Sequence, residues 1–322
     1  MTGKTIKADV TRMKIKPERL KKGDVIGIVS PARWMEEQEL FKAAAIVEQM
    51  GFHVKISPQN FLRKDQFAGN DYDRAGAIEA MFKDREVKAI VCARGGYGAL
   101  RIIDLLDYDL IAKNPKIFVG YSDITALLIS IYTETGLITF HGPMLHSFIN
   151  EADSFTITYL QYAICSDEPY NANFSIDTQV RVLRPGIAEG ELIGGNLSIL
   201  VNLIGTPHDF DTSGKILFIE DVDEYLYNLE RMLIHLKRSG KIDKLAGLII
   251  GEMKDIKDNN IPFGKDIDGM VLDIVGNTTF PIVTNFPCGH NKNQMTIPIS
   301  VMARLECDEN RANLAMPEPA VV

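Results

Sequence analysis

Three polar residues in this sequence stand just beyond apolar, β-branched runs, where open parallel sheets gather their ligands. Ser122 follows Lys116 to Gly120 in the run Gly120-Tyr121-Ser122-Asp123. Glu220 closes the run Lys215 to Ile219, and His290 comes a few residues after Ile282 to Phe286. In the chain order Ser, Glu, His these are the parts of a serine hydrolase. A serine hydroxyl is a poor nucleophile until a base removes its proton, and neutral imidazole suits that task near pH 7. A carboxylate on the other ring nitrogen fixes the tautomer and stabilises the imidazolium. The tetrahedral intermediate then needs preorganised donors. Gly120 permits a tight turn, and the N–H of Asp123 would lie at a helix start, where negative charge is favoured. The glycines of Arg94-Gly95-Gly96-Tyr97-Gly98 let a second backbone N–H approach the same point.

Each of these residues also has a plainer reading. Ser122 suits a helix N-cap, Glu220 a solvated acid at a strand end, and His290 a polar loop. The serine run departs from the G-x-S-x-G elbow, because Ile124 stands at its last position. The glycine run resembles a phosphate cradle but has neither the G-x-G-x-x-G order nor a Gly-Lys-Ser/Thr. His141 and His146 flank Gly142-Pro143 near the same edge and could line a pocket. Trp34, the only tryptophan, is either a stacking surface for a ligand or a partly buried aromatic. Only the convergence of Ser122, Glu220 and His290 at one sheet edge favours catalysis over a module that binds a nucleotide or sugar there without chemistry.

The elements that must position them alternate strands with amphipathic helices, the pattern of a parallel sheet with crossover helices. Strands are expected at 24–30, 52–56, 87–93, 116–120 and 137–140, with helices at 36–50, up to 81, and 124–132. From about 150 to 185 the patterning weakens and reads as a connector holding one helix. Beyond it, strands are expected at 190–196, 215–220, 245–251 and 282–286, with helices to 204 and over 225–238. The tail after Ala315, with two prolines, reads as frayed. The expected organisation is thus an N-terminal domain over 1–150, a connector over 151–185 and a C-terminal domain over 186–322.

With 322 residues the chain suits two domains. Its 46% hydrophobic and 24% charged content belong to a globular protein. A net charge of −8 argues against nucleic acid or an anionic membrane as partner. The lysine-rich stretch Met1 to Lys22 has no apolar core and does not read as a signal peptide, and no apolar run is long enough to span a bilayer. Cys92, Cys165, Cys288 and Cys307 form no CxxC pair, so neither a disulfide framework nor a zinc knuckle is expected and the location reads as cytoplasmic. No His, Cys or Asp groups have the spacing of metal ligands.

The ordered motifs resemble the LD-carboxypeptidase family of serine peptidases. They are Gly23 to Pro31, Phe67-Ala68-Gly69, Ala93 to Gly98, Leu106 to Asp109, Gly120 to Thr125, His141-Gly142-Pro143, Gly190 to Asn196, Phe218 to Asp221 and Pro287 to His290. The likeness runs from about Pro17 to Leu305. It implies a flavodoxin-like N-terminal domain joined to a smaller C-terminal α/β domain, a homodimer, a site between the domains, and no metal or organic cofactor. The implied reaction is hydrolysis of the bond before a terminal D-amino acid, as in the cytoplasmic murein tetrapeptides that muramoyltetrapeptide carboxypeptidases shorten during cell-wall recycling. A branch of the same family detoxifies peptide–nucleotide antibiotics instead. By motif, Ser122 corresponds to the nucleophile, His290 to the base and Glu220 to the residue orienting it. Asp123 and Gly96 correspond to the oxyanion hole, and Arg94, Tyr97 and Asn196 to pocket residues. The loops around 143–156 and 253–268 would set specificity.

Overall fold

A computed structural model of the chain describes residues 13–150, 153–175 and 179–322. The first part of the lysine-rich stretch lies outside the described residues, as do 151–152 and 176–178 of the expected connector.

The first half builds strands β1 (Val25–Val29), β2 (His53–Ile56), β3 (Val87–Cys92), β4 (Ile117–Gly120) and β5 (Phe140–His141). All pair in parallel, in the spatial order β5-β4-β3-β1-β2, which is the flavodoxin-like order. β3 and β4 are buried almost throughout, as strands covered by helices on both faces must be. The helices are α1 (Glu37–Gln49), α2 (Asp71–Lys83), α3 (Tyr108–Lys113), α4 (Thr125–Thr135) and α5 (Leu145–Asn150). A capping box starts α2, in which Asn70 Oδ1 accepts from the Asp73 N–H and the Asp73 carboxylate accepts from the Asn70 N–H. α4 is apolar nearly all round and buried from Thr125 to Ile131, because it lies between the two halves and packs on both β4 and the second sheet.

The remaining elements are α6 (Ser154–Cys165), β6 (Tyr170–Ser175), β7 (Arg181–Arg184), β8 (Gly186–Asn196), α7 (Leu197–Leu203), β9 (Ile216–Val222), α8 (Leu226–Arg238), β10 (Gly247–Lys254), α9 (Ile267–Val275), β11 (Ile282–Phe286), β12 (Ile297–Pro298), β13 (Met302–Asp308) and β14 (Arg311–Met316). The second sheet runs β6-β14-β13-β8-β9-β10-β11-β7. Its centre, from β8 to β11, is parallel, and its flanks are antiparallel. β8 serves both regimes: residues 186–191 pair antiparallel with β13, and 192–196 pair in parallel with β9. β12 returns to the first sheet and closes its edge on β5, where Pro298 costs no ladder bond.

Three expectations change. The stretch 151–185 supplies two strands besides its helix. The fifth strand shrinks to Phe140–His141, because Leu137 bridges Ile15 and the Thr139 hydroxyl donates to the Leu128 carbonyl at 3.0 Å. The tail is not frayed: Ala320 and Val321 are buried, and Val322 N–H donates to the Pro17 carbonyl at 3.0 Å. Arg19 N–H returns a bond to the Val322 carbonyl at 2.9 Å. An apolar Ala-Val-Val end has surface to bury, and the backbone of residues 17–19 supplies its partners.

Candidate active site

At the end of β4 the chain turns sharply. Ser122 has φ +59°, a left-handed conformation that costs a non-glycine residue about 1–2 kcal/mol. A Cβ at Gly120 would lie 2.6 Å from Cγ2 of Ile124, so glycine at 120 makes the room that the branched residue at 124 fills. The departure from the usual elbow is therefore a packing solution. The Ile124 N–H closes the turn on the Tyr121 carbonyl at 3.1 Å. Asp123, one residue earlier, is placed among the orphan donors that every helix start carries.

The Ser122 hydroxyl makes no cap. It lies 3.1 Å from Nε2 of His290, whose Nδ1 lies 2.7 Å from Oε2 of Glu220. The serine comes from the first sheet, the acid and imidazole from the second. Glu220 is fully buried on β9, and Gly289 makes its position possible: at φ +94°, a Cβ there would lie 2.4 Å from the Glu220 Oε2. Lys254 Nζ donates to the His290 carbonyl at 3.1 Å and holds that loop from behind. Tyr121 meets the imidazole edge-on, with ring centroids 5.0 Å apart.

The electrostatics follow from burial and pairing. Burial alone would raise the Glu220 pKa, but the His290 imidazole at hydrogen-bond distance outweighs it and holds the carboxyl below its usual range. Burial alone would lower the His290 pKa, and the Glu220 charge outweighs it in turn and raises it. The arrangement can thus take a proton from the hydroxyl and hold it as a stabilised imidazolium. His141 lies nearby but is sealed rather than pocket-lining. It is fully buried, its rings face Tyr121 and Phe218, and burial pushes its pKa down to about 4, so it is neutral. Among the described residues neither of its ring nitrogens has a hydrogen-bond partner.

The glycine loop after β3 comes against the same turn. A Cβ at Gly95 would lie 3.2 Å from the Ser122 Cβ and 3.4 Å from its Oγ. Gly96, at φ +109°, follows directly and has the Arg33 side chain on its Cα. The far end of the loop is pinned twice. Ala99 N–H donates to Asp123 Oδ2 at 2.8 Å, and Arg74, wholly buried, donates to the carbonyls of Gly98 at 2.8 Å and Pro31 at 2.5 Å. Burial raises the Asp123 carboxyl to about 6 despite the Ala99 bond.

The three expected pocket residues fare differently. Arg94 is half-buried at the start of the loop. Tyr97 is exposed and packs on Phe67, 6.0 Å between centroids. Asn196 is buried and occupied: its Nδ2 donates to Asp221 at 3.0 Å and its Oδ1 accepts from Ser198 and from the first turn of α7. It braces the strand end beside Glu220. Trp34 donates to the Asp65 carbonyl at 2.9 Å and carries the Arg63 guanidinium 4.1 Å above its ring. Sequence reasoning missed Arg33, Arg74, Tyr121 and Lys254. Arg33 alone had a signal, since it follows β1 as Arg94 follows β3.

Comparison with known proteins gives the family. Residues 26–142 match the LD-carboxypeptidase N-terminal domain and residues 189–305 the LD-carboxypeptidase C-terminal domain. The chain belongs to the LD-carboxypeptidase family. It is 38% identical over 310 residues to a probable murein peptide carboxypeptidase of Bacillus subtilis, covering 94% of this chain and 95% of that one. It is 30% identical to the microcin C7 self-immunity protein of Escherichia coli, covering 92% and 94%. Among solved structures, the muramoyltetrapeptide carboxypeptidase from Oxalobacter formigenes superposes with a TM-score of 0.81 at 29% identity, covering 92% and 99%.

Proposed function

We propose that this protein is a serine carboxypeptidase that hydrolyses the L,D-peptide bond before a terminal D-amino acid in murein tetrapeptides. The observation that carries the proposal is the unbroken chain Ser122 Oγ, His290 Nε2, His290 Nδ1, Glu220 Oε2, at 3.1 and 2.7 Å. The substrate comes from the likeness to the probable murein peptide carboxypeptidase.

In this reading His290 takes the Ser122 proton as Oγ attacks the scissile carbonyl carbon. The oxyanion forms against the N–H groups of Asp123 and Gly96. His290, now imidazolium and paired with Glu220, passes the proton to the departing amine, and the terminal D-amino acid leaves. Water, deprotonated by the same imidazole, then frees Ser122 from the acyl-enzyme. Residues 1–150 carry the nucleophile and 186–322 the acid and base, with 151–185 between them. A cytoplasmic location and a homodimer belong to the same reading. Among the described residues no helix is long and apolar enough to cross a membrane.

The likeness to the microcin self-immunity protein supports a second reading, cleavage of a peptide–nucleotide antibiotic. One assay separates the two: murein tetrapeptide and an aminoacyl-sulfamoyl-adenosine are offered to the same preparation. Release of D-alanine with the nucleotide left intact is expected, and free amino acid from the nucleotide alone would overturn the murein reading. Ser122→Ala should lower tetrapeptide turnover by several orders of magnitude in a folded protein. Retained turnover would exclude Ser122 as nucleophile.

A further inference from the structure

The family likeness gives Arg94 as a pocket residue without saying what it binds. The order β2-β1-β3 places the loops after β1 and β3 on either side of the point where the strand order reverses, the usual crevice for a ligand. Each loop delivers an arginine there. Arg33 lies on Gly96, since a Cβ at Gly96 would come within 2.6 to 2.9 Å of the Arg33 Cδ, Cγ and Nε. Arg94 directly precedes Gly95, which touches Ser122.

Neither charge is matched. Arg33 donates from Nε to the amide oxygen of Gln66 at 3.1 Å, a neutral partner. Among the described residues Arg94 has no hydrogen bond or ion pair. Burial and the repulsion of Arg33 lower its pKa, and only Glu39 and Tyr121 act in the opposite sense, from beyond bonding distance. Half-burying a guanidinium beside another without a carboxylate is a standing cost, and an anion between the two relieves it.

We infer that Arg33 and Arg94 form a clamp for the terminal carboxylate of the peptide, and that this clamp makes the site an exopeptidase. The inference rests on the proposed carboxypeptidase reading and deepens it. With the scissile carbonyl against Ser122 and the glycine loop, the carboxylate of the departing residue lies one residue further on, about 3.8 Å per Cα step. The residues flanking the Gly95–Ser122 contact are Arg94 in the chain and Arg33 across Gly96. An arginine fork matches a carboxylate in two parallel bonds. A chain continuing past the scissile bond would present a neutral amide to two cations.

The test compares a murein tetrapeptide with its C-terminal carboxamide, as ligands and as substrates. Calorimetry uses Ser122→Ala, which cannot turn either over. The free acid should bind about 10- to 100-fold more tightly than the carboxamide, the effect of one charge-assisted contact. Adding Arg94→Gln should remove most of that difference by weakening only the acid, and Arg33→Gln should act in the same direction. Equal binding of acid and carboxamide to Ser122→Ala, or a preference that survives both glutamines, would overturn the clamp. Wild-type turnover of the acid reports separately on the carboxypeptidase reading. An enzyme that cuts acid and carboxamide alike would keep that activity and lose the clamp, whereas tight acid-selective binding without turnover would keep the clamp and lose the activity.

Discussion

Replacing Glu220 by glutamine removes one charge from a fully buried site and little volume. The Glu220 Oε2 lies 2.7 Å from Nδ1 of His290, which puts the two charge centres roughly 4 Å apart once His290 is an imidazolium. At an effective dielectric of about 20 that attraction is about 4 kcal/mol, or roughly 10³-fold in rate if it is felt only when the proton has moved. A glutamine N–H₂ facing Nδ1 also favours the tautomer with its proton on Nε2, which cannot accept from Ser122. The expected loss in kcat/KM is therefore about 10³- to 10⁴-fold. The pH profile gives an independent readout. Under the proposed mechanism His290 works as a neutral base, and Glu220 raises its pKa above the usual 6.5 against the lowering effect of burial. Without that charge, burial, the largest influence on His290, and Lys254 outweigh the weaker pull of Asp221, so the acid limb of the profile should move to lower pH while the plateau falls. Following D-alanine release from pH 4.5 to 9 measures both. A loss below about tenfold, or a limb that stays or moves upward, would refute the assignment of Glu220.

Gly289→Ala should abolish most activity with modest loss of stability, because its Cβ would fall 2.4 Å from the Glu220 Oε2 in a strained backbone conformation; kcat and thermal melting check it together. His141→Phe should leave Tm unchanged or raised and keep activity within about tenfold, since a buried ring with two unpartnered nitrogens costs stability. A fall in Tm would show that His141 has a role as yet unaccounted for. Asp123 has a folded-state pKa of about 6 against the usual 3.8, so the folded protein holds its proton longer than the unfolded chain. Stability from this group is therefore lost as pH rises from about 4 to about 6, by up to about 3 kcal/mol. Asp123→Asn should gain stability relative to wild type across that window in urea titrations, and a difference that does not change with pH would sink the argument.

The residues of the hydrogen-bonded chain were legible because strand ends are: Ser122 and Glu220 follow the apolar runs Ile117 to Val119 and Ile216 to Ile219, and His290 follows the β-branched run that begins at Ile282. The tie between them was not legible. No local pattern says that the Gly289 Cα must be bare to admit a carboxylate 69 residues earlier, or that Arg74, in the first turn of α2, reaches the carbonyls of Pro31 and Gly98. The hairpin of β13 and β14 was missed for a different reason. Its inward residues Ala303, Leu305, Cys307, Ala312, Leu314 and Met316 alternate with charged and amide ones, a half-buried strand pattern that was legible in the sequence and overlooked. The short β5 and the buried tail depend on partners at Ile15, Leu128 and Pro17 that are distant in sequence or outside any strand.

The chain from Ser122 to Glu220 crosses from one sheet to the other, and the seam it crosses is stitched at 3.0 Å where Asn196 N–H meets the Thr125 hydroxyl. Under the proposed chemistry, turnover then works as a gauge of how the two halves are seated. A slip of about 1 Å along that seam would part the imidazole from the hydroxyl while leaving every helix and both ladders intact. Agents that loosen the seam should silence the enzyme well before circular dichroism registers any change, so a folded but inactive preparation would point first to the fit between the sheets and only then to the residues of the site.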